Sequence, residues 1–306
     1  MSSTITDPEV LAFIKRTESF YPPGSNTASV AQQRSLYDRM TAAFRQPRPM
    51  GLAVEDFVVS GPNSLLRLRR YWPRLPGPVR VVYFHGGGFV VGGLDSHDDI
   101  CAELASRCEL EVVAVAYRLS PENKHPAAYA DAMAAVQSLS DVPVILVGDS
   151  AGANLAAAVA LSSKVDLRGQ VLIYPGLGGE SENLPAYTER AKAPLLHTED
   201  VAAYRDLRAG QPNDVADPTF SPLKCKDFST APPCFVSAAE FDPLRDDGTE
   251  YVLRLADAGV RAEAVVEDQL PHGHLRARHV STRAGAAFDR ICAAISGFVQ
   301  KAENSL

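Results

Sequence analysis

The sequence has no run rich in lysine and arginine, no stretch approaching the roughly 20 apolar residues a membrane helix requires, and no CxxC spacing. Each absence removes a class of function. Nucleic-acid phosphates are held by clustered positive charge, and a chain of net charge -7 with no basic run offers none, which excludes a nucleic-acid partner. The opening residues, MSSTITDPEVLAFIKRTESF, carry acids where a secretory leader needs a basic region and then an unbroken apolar one. The expectation is a soluble, cytoplasmic protein without stable membrane association. Even the apolar run 142–147 is interrupted by Pro143 and stopped by Gly148. The five cysteines, Cys101, Cys108, Cys225, Cys234 and Cys292, are odd in number and mostly in apolar surroundings. They read as reduced, buried small hydrophobes. No internal repeat or low-complexity tract appears.

What is present is a rhythm. Short runs rich in Val, Ile and Leu at 79–84, 111–115, 142–147, 170–174, 234–238 and 262–266 alternate with helical patterns near 96–108, 127–139, 151–163, 248–258 and 280–299. That is the pattern of βα units, so the fold class is α/β, with a mostly parallel central sheet covered by helices on both faces. The segments 54–60 and 65–72 alternate more and read as antiparallel edge strands. Residues 1–306 form one domain on this reading. Two regions break the rhythm: about 1–50, with helical patterns at 8–20 and 29–44, and about 176–215, with Pro- and Gly-rich turns around a helix capped by Thr198. Both read as a cap over the sheet.

Gly148-Asp149-Ser150-Ala151-Gly152 matches G-x-S-x-G, between an apolar strand (VPVILVG) and a helix of small residues (ANLAAAVALSS). The chemistry asks for glycine at both flanks because the serine sits on a strained strand-to-helix turn where any side chain at 148 or 152 collides with backbone. The serine also stands at a helix N-terminus, whose free amides, beginning with Ala151, favour a developing oxyanion. A bland alternative makes the serine only an N-cap. Upstream, VRVVYF runs into His85-Gly86-Gly87-Gly88-Phe89, whose three glycines expose successive amides. A dinucleotide loop fails, because three residues rather than two separate Gly88 from Gly92.

An acid and a base should follow the serine in that order, each after a later strand. CFVSA ends in Ala239-Glu240-Phe241-Asp242-Pro243-Leu244, and Asp242 is the preferred acid. Glu240 competes, while Asp246 and Asp247 read as first-turn acids of the next helix. AEAVVED is followed by Pro271-His272-Gly273-His274, which leaves two histidines as candidate base. A zinc site from His272, His274 and His279 has no acid or cysteine among them and would strip Ser150 of a base. A calcium loop at DPLRDDG lacks alternating acids.

These blocks together, HGGGF at His85, YRLSPENKHPAAYAD at 117–131, GDSAGANLA at Gly148, SPL at Ser221 and AAEFDPLRDDG at 238–248, resemble the GDSAG branch of the hormone-sensitive lipase family, esterases of the α/β-hydrolase fold. The resemblance covers nearly everything from Val79 to His272. It implies that Gly87, Gly88 and Ala151 supply the oxyanion amides, that His85 holds the glycine loop, and that Asp242 is the acid of the DPL motif. The family usually reads His-Gly-Phe where this chain reads His-Gly-His, so the resemblance makes His272 the base and sets His274 in the place of an aromatic ring. It further implies a small-molecule substrate, a carboxylic ester of short to medium acyl chain. The wall candidates are Phe89, Tyr187, His197, Tyr204 and Phe220, while His97 and His125 read as structural. A serine, histidine and aspartate with an oxyanion hole need no metal or organic cofactor, so none is expected. Competing readings are a non-catalytic small-ligand binding protein on the same fold, or an acyltransferase or carbon-carbon hydrolase using the same triad. A homodimer is the base-rate expectation for a soluble enzyme of this kind.

Overall fold

The computed structural model describes residues 4–25, 28–179 and 184–303. Two helices come first, α1 (Pro8–Glu18) and α2 (Val30–Phe44). Asp7 caps α1 by accepting from the amides of Glu9 and Val10, and Ser29 and Gln32 form a capping box on α2. The strands are β1 (Ala53–Ser60), β2 (Leu65–Trp72), β3 (Arg80–Phe84), β4 (Glu111–Val115), β5 (Val144–Asp149), β6 (Leu167–Ile173), β7 (Cys234–Phe241) and β8 (Ala262–Pro271). They form one sheet in the order β1-β2-β4-β3-β5-β6-β7-β8. The β1–β2 and β2–β4 pairings are antiparallel, and every other pairing is parallel. The fold is the α/β-hydrolase fold.

Strand alternation divides the core into two layers. From β3 and β5, Val81, Tyr83, Ile145 and Val147 meet α3 (Asp98–Cys108) and α9 (Thr282–Glu303) through Ile100, Leu104, Phe288, Ile291 and Ile295. On the opposite face Val82, Phe84, Val144 and Leu146 meet α4 (Ala127–Ser138), α5 (Ala151–Ser162) and α8 (Arg245–Asp257) through Val136, Leu155, Val159, Tyr251 and Leu255. Each such side chain contributes about 1.5–3 kcal/mol by leaving water. Residues Ala151 to Ala160 of α5 are all buried, and Asn154, the one polar side chain among them, donates to the Gly176 and Phe220 carbonyls. The remaining short helices are α6 (Ala186–Glu189) and α7 (Thr198–Arg208).

Several expectations need correction. Of the two early strands only β1 is an edge, because β2 also pairs with β4. The run at 262–266, read as interior, belongs to β8 at the other edge, where Glu263 is exposed and Ala262, Ala264, Val265 and Val266 are only partly covered. Both β7 and β8 run several residues past the apolar stretches, because their polar residues find partners: Glu267 accepts from Ser237 and Arg290, and Glu240 from the Gln269 amide. Thr198 does not cap α7: His197 is the N-cap, its amide donating to Asp200 at 2.9 Å, and the Thr198 hydroxyl donates to the Tyr187 carbonyl. Cys101, Cys234 and Cys292 are buried free thiols, but Cys108 and Cys225 are only half-buried. Residues 180–183 of the second irregular region lie outside the described residues. Among the described residues no helix is long and apolar enough to cross a membrane.

Candidate active site

The carboxyl ends of β3, β5, β7 and β8 meet at one point of the sheet edge. β5 delivers Ser150 with φ 54° and ψ -116°, a left-handed strain held by tight packing on either side. A Cβ on Gly148 would stand 2.4 Å from the Gly152 carbonyl carbon, and one on Gly152 would stand 1.9 Å from the Phe84 carbonyl oxygen. Only glycine fits either position, which is why the motif has them. The Ser150 amide donates to Ile173 at 2.8 Å and locks the turn to β6.

β7 ends at Phe241, and the fully buried Asp242 follows. Its Oδ1 accepts from the Leu244 amide at 2.8 Å, and its Oδ2 lies 2.6 Å from His272 Nδ1. The other ring nitrogen, Nε2, lies 2.9 Å from Ser150 Oγ. The three side chains foreseen from sequence are therefore joined in one line. The competitors are occupied elsewhere: Glu240 accepts from the Gln269 amide at 2.9 Å, and Asp246 accepts from the Ala186 amide at 2.7 Å. Asp247 accepts from the amides of Leu177 and Gly179 and from the Tyr187 hydroxyl. Burial pushes the Asp247 carboxyl up to about 7.

The three histidines of the zinc alternative take separate partners, since His279 pairs with Glu103 at 2.7 Å and His274 turns inward. His274 sits edge-on to Tyr174, ring centroids 4.9 Å apart, with Nδ1 3.2 Å from the Pro271 carbonyl. Burial lowers its pKa to about 3, so the ring is neutral and apolar in use. A folded pKa below the unfolded value of about 6.5 means that unfolding takes up a proton between those limits. Stability from this group is present above about pH 6.5 and is lost as pH falls toward 3. His274→Phe is expected to move the acid-unfolding midpoint to lower pH, followed by circular dichroism, while ester hydrolysis stays within about threefold. Loss of hydrolysis would give His274 the role assigned to His272.

After β3 the glycine loop turns under Ser150. Gly87 and Gly88 adopt φ 119° and 59°, and Phe89 adopts φ 64°. A Cβ on Gly88 would meet the Tyr204 ring at 2.5 Å. The amides of Val90 and Val91 both donate to the Gly87 carbonyl, which coils the loop. Among the described residues, the amides of Gly87, Gly88 and Ala151 donate to no protein acceptor outside helices and strands. His85 braces the loop, with Nδ1 2.8 Å from the Gly86 carbonyl and its ring stacked on Tyr117 at 4.3 Å, while the Tyr117 hydroxyl donates to the His85 carbonyl at 2.6 Å.

Sequence reading missed what ties the loop to the nucleophile turn. Asp149, buried beside Ser150, accepts from the Gly86 amide at 2.9 Å, from the Tyr83 hydroxyl at 2.8 Å and from the Tyr174 hydroxyl at 3.4 Å, with His97 Nε2 at 3.3 Å. Burial works against its charge. The His97 ring, the Tyr83 hydroxyl and the Arg276 guanidinium outweigh burial and hold the carboxyl well below the usual carboxylate range. Arg276 in turn donates to the Ser96 carbonyl and to the Tyr37 hydroxyl on α2. His97 is thus structural, and His125 likewise pairs with Asp217 at 3.3 Å.

A cavity of about 1290 Å³ opens over Ser150, His272, Gly87 and Gly88. All five foreseen wall residues, Phe89, Tyr187, His197, Tyr204 and Phe220, line it. So do residues of α1 and α2, including Phe13, Thr17, Tyr37 and Met40.

An α/β-hydrolase with a serine on such a turn belongs to the class of serine hydrolases. A family model described as alpha/beta hydrolase fold matches residues 81–276. The chain is 36% identical over 262 residues to esterase LipI of Mycobacterium tuberculosis, covering 79% of this chain and 81% of LipI. It is 36% identical over 229 residues to ethyl acetate hydrolase of Pseudomonas putida, covering 70% and 71%. The solved esterase of Pyrobaculum calidifontis superposes with a TM-score of 0.85 at 32% identity, over 92% of this chain and 97% of that one. The chain belongs to the hormone-sensitive lipase-like esterases of the α/β-hydrolase fold, and it is a serine carboxylesterase.

Proposed function

We propose that this carboxylesterase hydrolyses short- to medium-chain acyl esters through Ser150, His272 and Asp242, with an acyl-enzyme intermediate. The observation that carries the reading is the unbroken line Asp242 Oδ2–His272 Nδ1 at 2.6 Å and His272 Nε2–Ser150 Oγ at 2.9 Å. His272 takes the Ser150 proton as Oγ attacks the ester carbonyl, and Asp242 holds the imidazole in the tautomer that can accept it. The carbonyl oxygen, now an anion, is held by the amides of Gly87, Gly88 and Ala151, each worth about 3 to 4 kcal/mol to the transition state. His272 returns the proton to the leaving alkoxide. Water, activated by the same ring, then releases the acid. Proton transfer of this kind contributes on the order of 10²- to 10⁴-fold.

Residues 1–306 act as one domain in this reading, with the segments of about 1–50 and 176–215 as a cap that closes the substrate cavity. Support comes from Phe13 and Tyr37 on one segment and His197 and Tyr204 on the other, which share the cavity walls. The name of the Pseudomonas relative, ethyl acetate hydrolase, supports a short acyl chain. The test joins two measurements. A fluorophosphonate probe is expected to label Ser150, mapped by peptide mass spectrometry, and p-nitrophenyl esters of rising chain length are expected to peak in kcat/KM at short to medium acyl groups. Labelling elsewhere sinks the nucleophile, and a maximum at long chains sinks the substrate class.

A further inference from the structure

The cavity holds a charge to which no carboxylate among the described residues is paired. Arg208, the last residue of α7, is 4% exposed and lines the cavity. Its guanidinium lies between two rings, 3.7 Å from the centroid of Phe89 and 4.1 Å from that of Phe220. Nη1 donates to the Phe220 carbonyl at 3.0 Å and Nη2 to the Thr219 carbonyl at 3.3 Å. Among the described residues no carboxylate comes within 4.0 Å of it. Asp217 is engaged by His125 and Thr219, and Asp214 by the amides of Gly210 and Gln211, so both attract Arg208 only from a distance.

Burial lowers the Arg208 pKa to about 9, which still leaves the group cationic at neutral pH. A buried cation without a counter-ion is costly, and two ring faces and two carbonyls offset only part of that cost. Guanidinium has five N–H donors, of which two are used by these carbonyls. The other arginines of the cavity differ: Arg205 pairs with Asp206 at 3.1 Å, and Arg276 stands beside the Asp149 network. Phe89 directly follows Gly88, so the uncompensated charge is set against the loop proposed to hold the oxyanion.

We propose that Arg208 binds a carboxylate of the substrate, so that the esters this enzyme takes best are anionic, carrying a carboxylate on the acyl or the alcohol side. A carboxylate would accept a forked pair of hydrogen bonds and complete the unpaired cation. The proposal rests on the reading of Ser150 as nucleophile.

The experiment compares matched esters by pH-stat at fixed ionic strength. Monoethyl glutarate against ethyl pentanoate tests the acyl side, and carboxymethyl butyrate against propyl butyrate tests the alcohol side. Wild type is expected to favour one anionic ester over its neutral mate by about 10- to 100-fold in kcat/KM, the range of charge-assisted hydrogen bonds. In Arg208→Met that ratio is expected to collapse to about one or below, and Arg208→Lys is expected to keep an intermediate ratio, having the charge without the fork. Binding of glutarate to Ser150→Ala, measured by calorimetry and lost in the double variant with Arg208→Met, gives a readout independent of turnover.

Should Arg208→Met not fold, Arg208→Lys decides, and an unchanged ratio in it overturns the proposal. So does a wild-type ratio of one or less on both sides. Ser150→Ala assayed alongside separates the two ideas: hydrolysis surviving there overturns the nucleophile, whereas Ser150-dependent hydrolysis with no anionic preference overturns only the carboxylate site.

Discussion

Ser150→Ala is expected to lower kcat/KM for a p-nitrophenyl acyl ester by on the order of 10⁵-fold, with a melting temperature within a few degrees of wild type. The size follows from the triad acting as a unit: without Oγ, neither the base at 2.9 Å nor the acid behind it has a proton to move. What remains is the oxyanion cradle acting on water, which by itself retains about 10³- to 10⁴-fold over the uncatalysed reaction. Stability should hold because the strain is in the backbone, φ 54° at position 150, and alanine inherits it unchanged. The backbone tie from the residue 150 amide to Ile173 also survives the substitution. Rates on purified variant and wild type, with fluorophosphonate labelling as a parallel readout, check the result. Retention of more than about a tenth of wild-type hydrolysis would remove Ser150 from the mechanism.

The parts of this site legible in the sequence are those whose physics is local. Gly148 announces the turn because the clash it avoids, with the backbone of Gly152 and Ala153, lies within five residues. His272 and Asp242 were findable because each comes within a few residues of an apolar run, after the serine and in the expected order. The family resemblance chose between His272 and His274, and the buried, inward-turned ring of His274 fits that choice. What was not legible is assembled from residues far apart in the chain. Arg276 meets Tyr37 across 239 residues, and Asp149 meets His97 across 52. No spacing rule joins such positions.

Burial of charge was equally hidden. Arg208 stands in YRDLRAG, where nothing in the sequence marks it as buried, and its enclosure depends on Phe89 and Phe220 arriving from other parts of the chain. Asp247 was correctly read as a first-turn acid of α8, yet its use, pinning the backbone at Leu177 and Gly179, needs the fold to be known. The edge position of β8 escaped for a related reason. Its apolar residues match those of an interior strand, and only the order of pairing tells that no further strand follows.

Asp242→Asn is expected to lower kcat by about 10⁴-fold at neutral pH while KM stays within about threefold, because the acid touches the imidazole and not the substrate. The geometry dictates the failure. Oδ1 of Asp242 is committed to the Leu244 amide at 2.8 Å, so the carbonyl oxygen of an asparagine takes that place and its NH₂ must face His272 Nδ1. A donor opposite Nδ1 drives the ring proton to Nε2, and an Nε2–H beside Ser150 Oγ cannot accept the serine proton. Glu240→Gln is the matched comparison. Its carboxylate accepts from the Gln269 amide, which a glutamine carbonyl can also do, so less than about a tenfold loss is expected. Were Asp242→Asn to hydrolyse esters near the wild-type rate and Glu240→Gln to fail, the acid would have to be moved from position 242 to position 240.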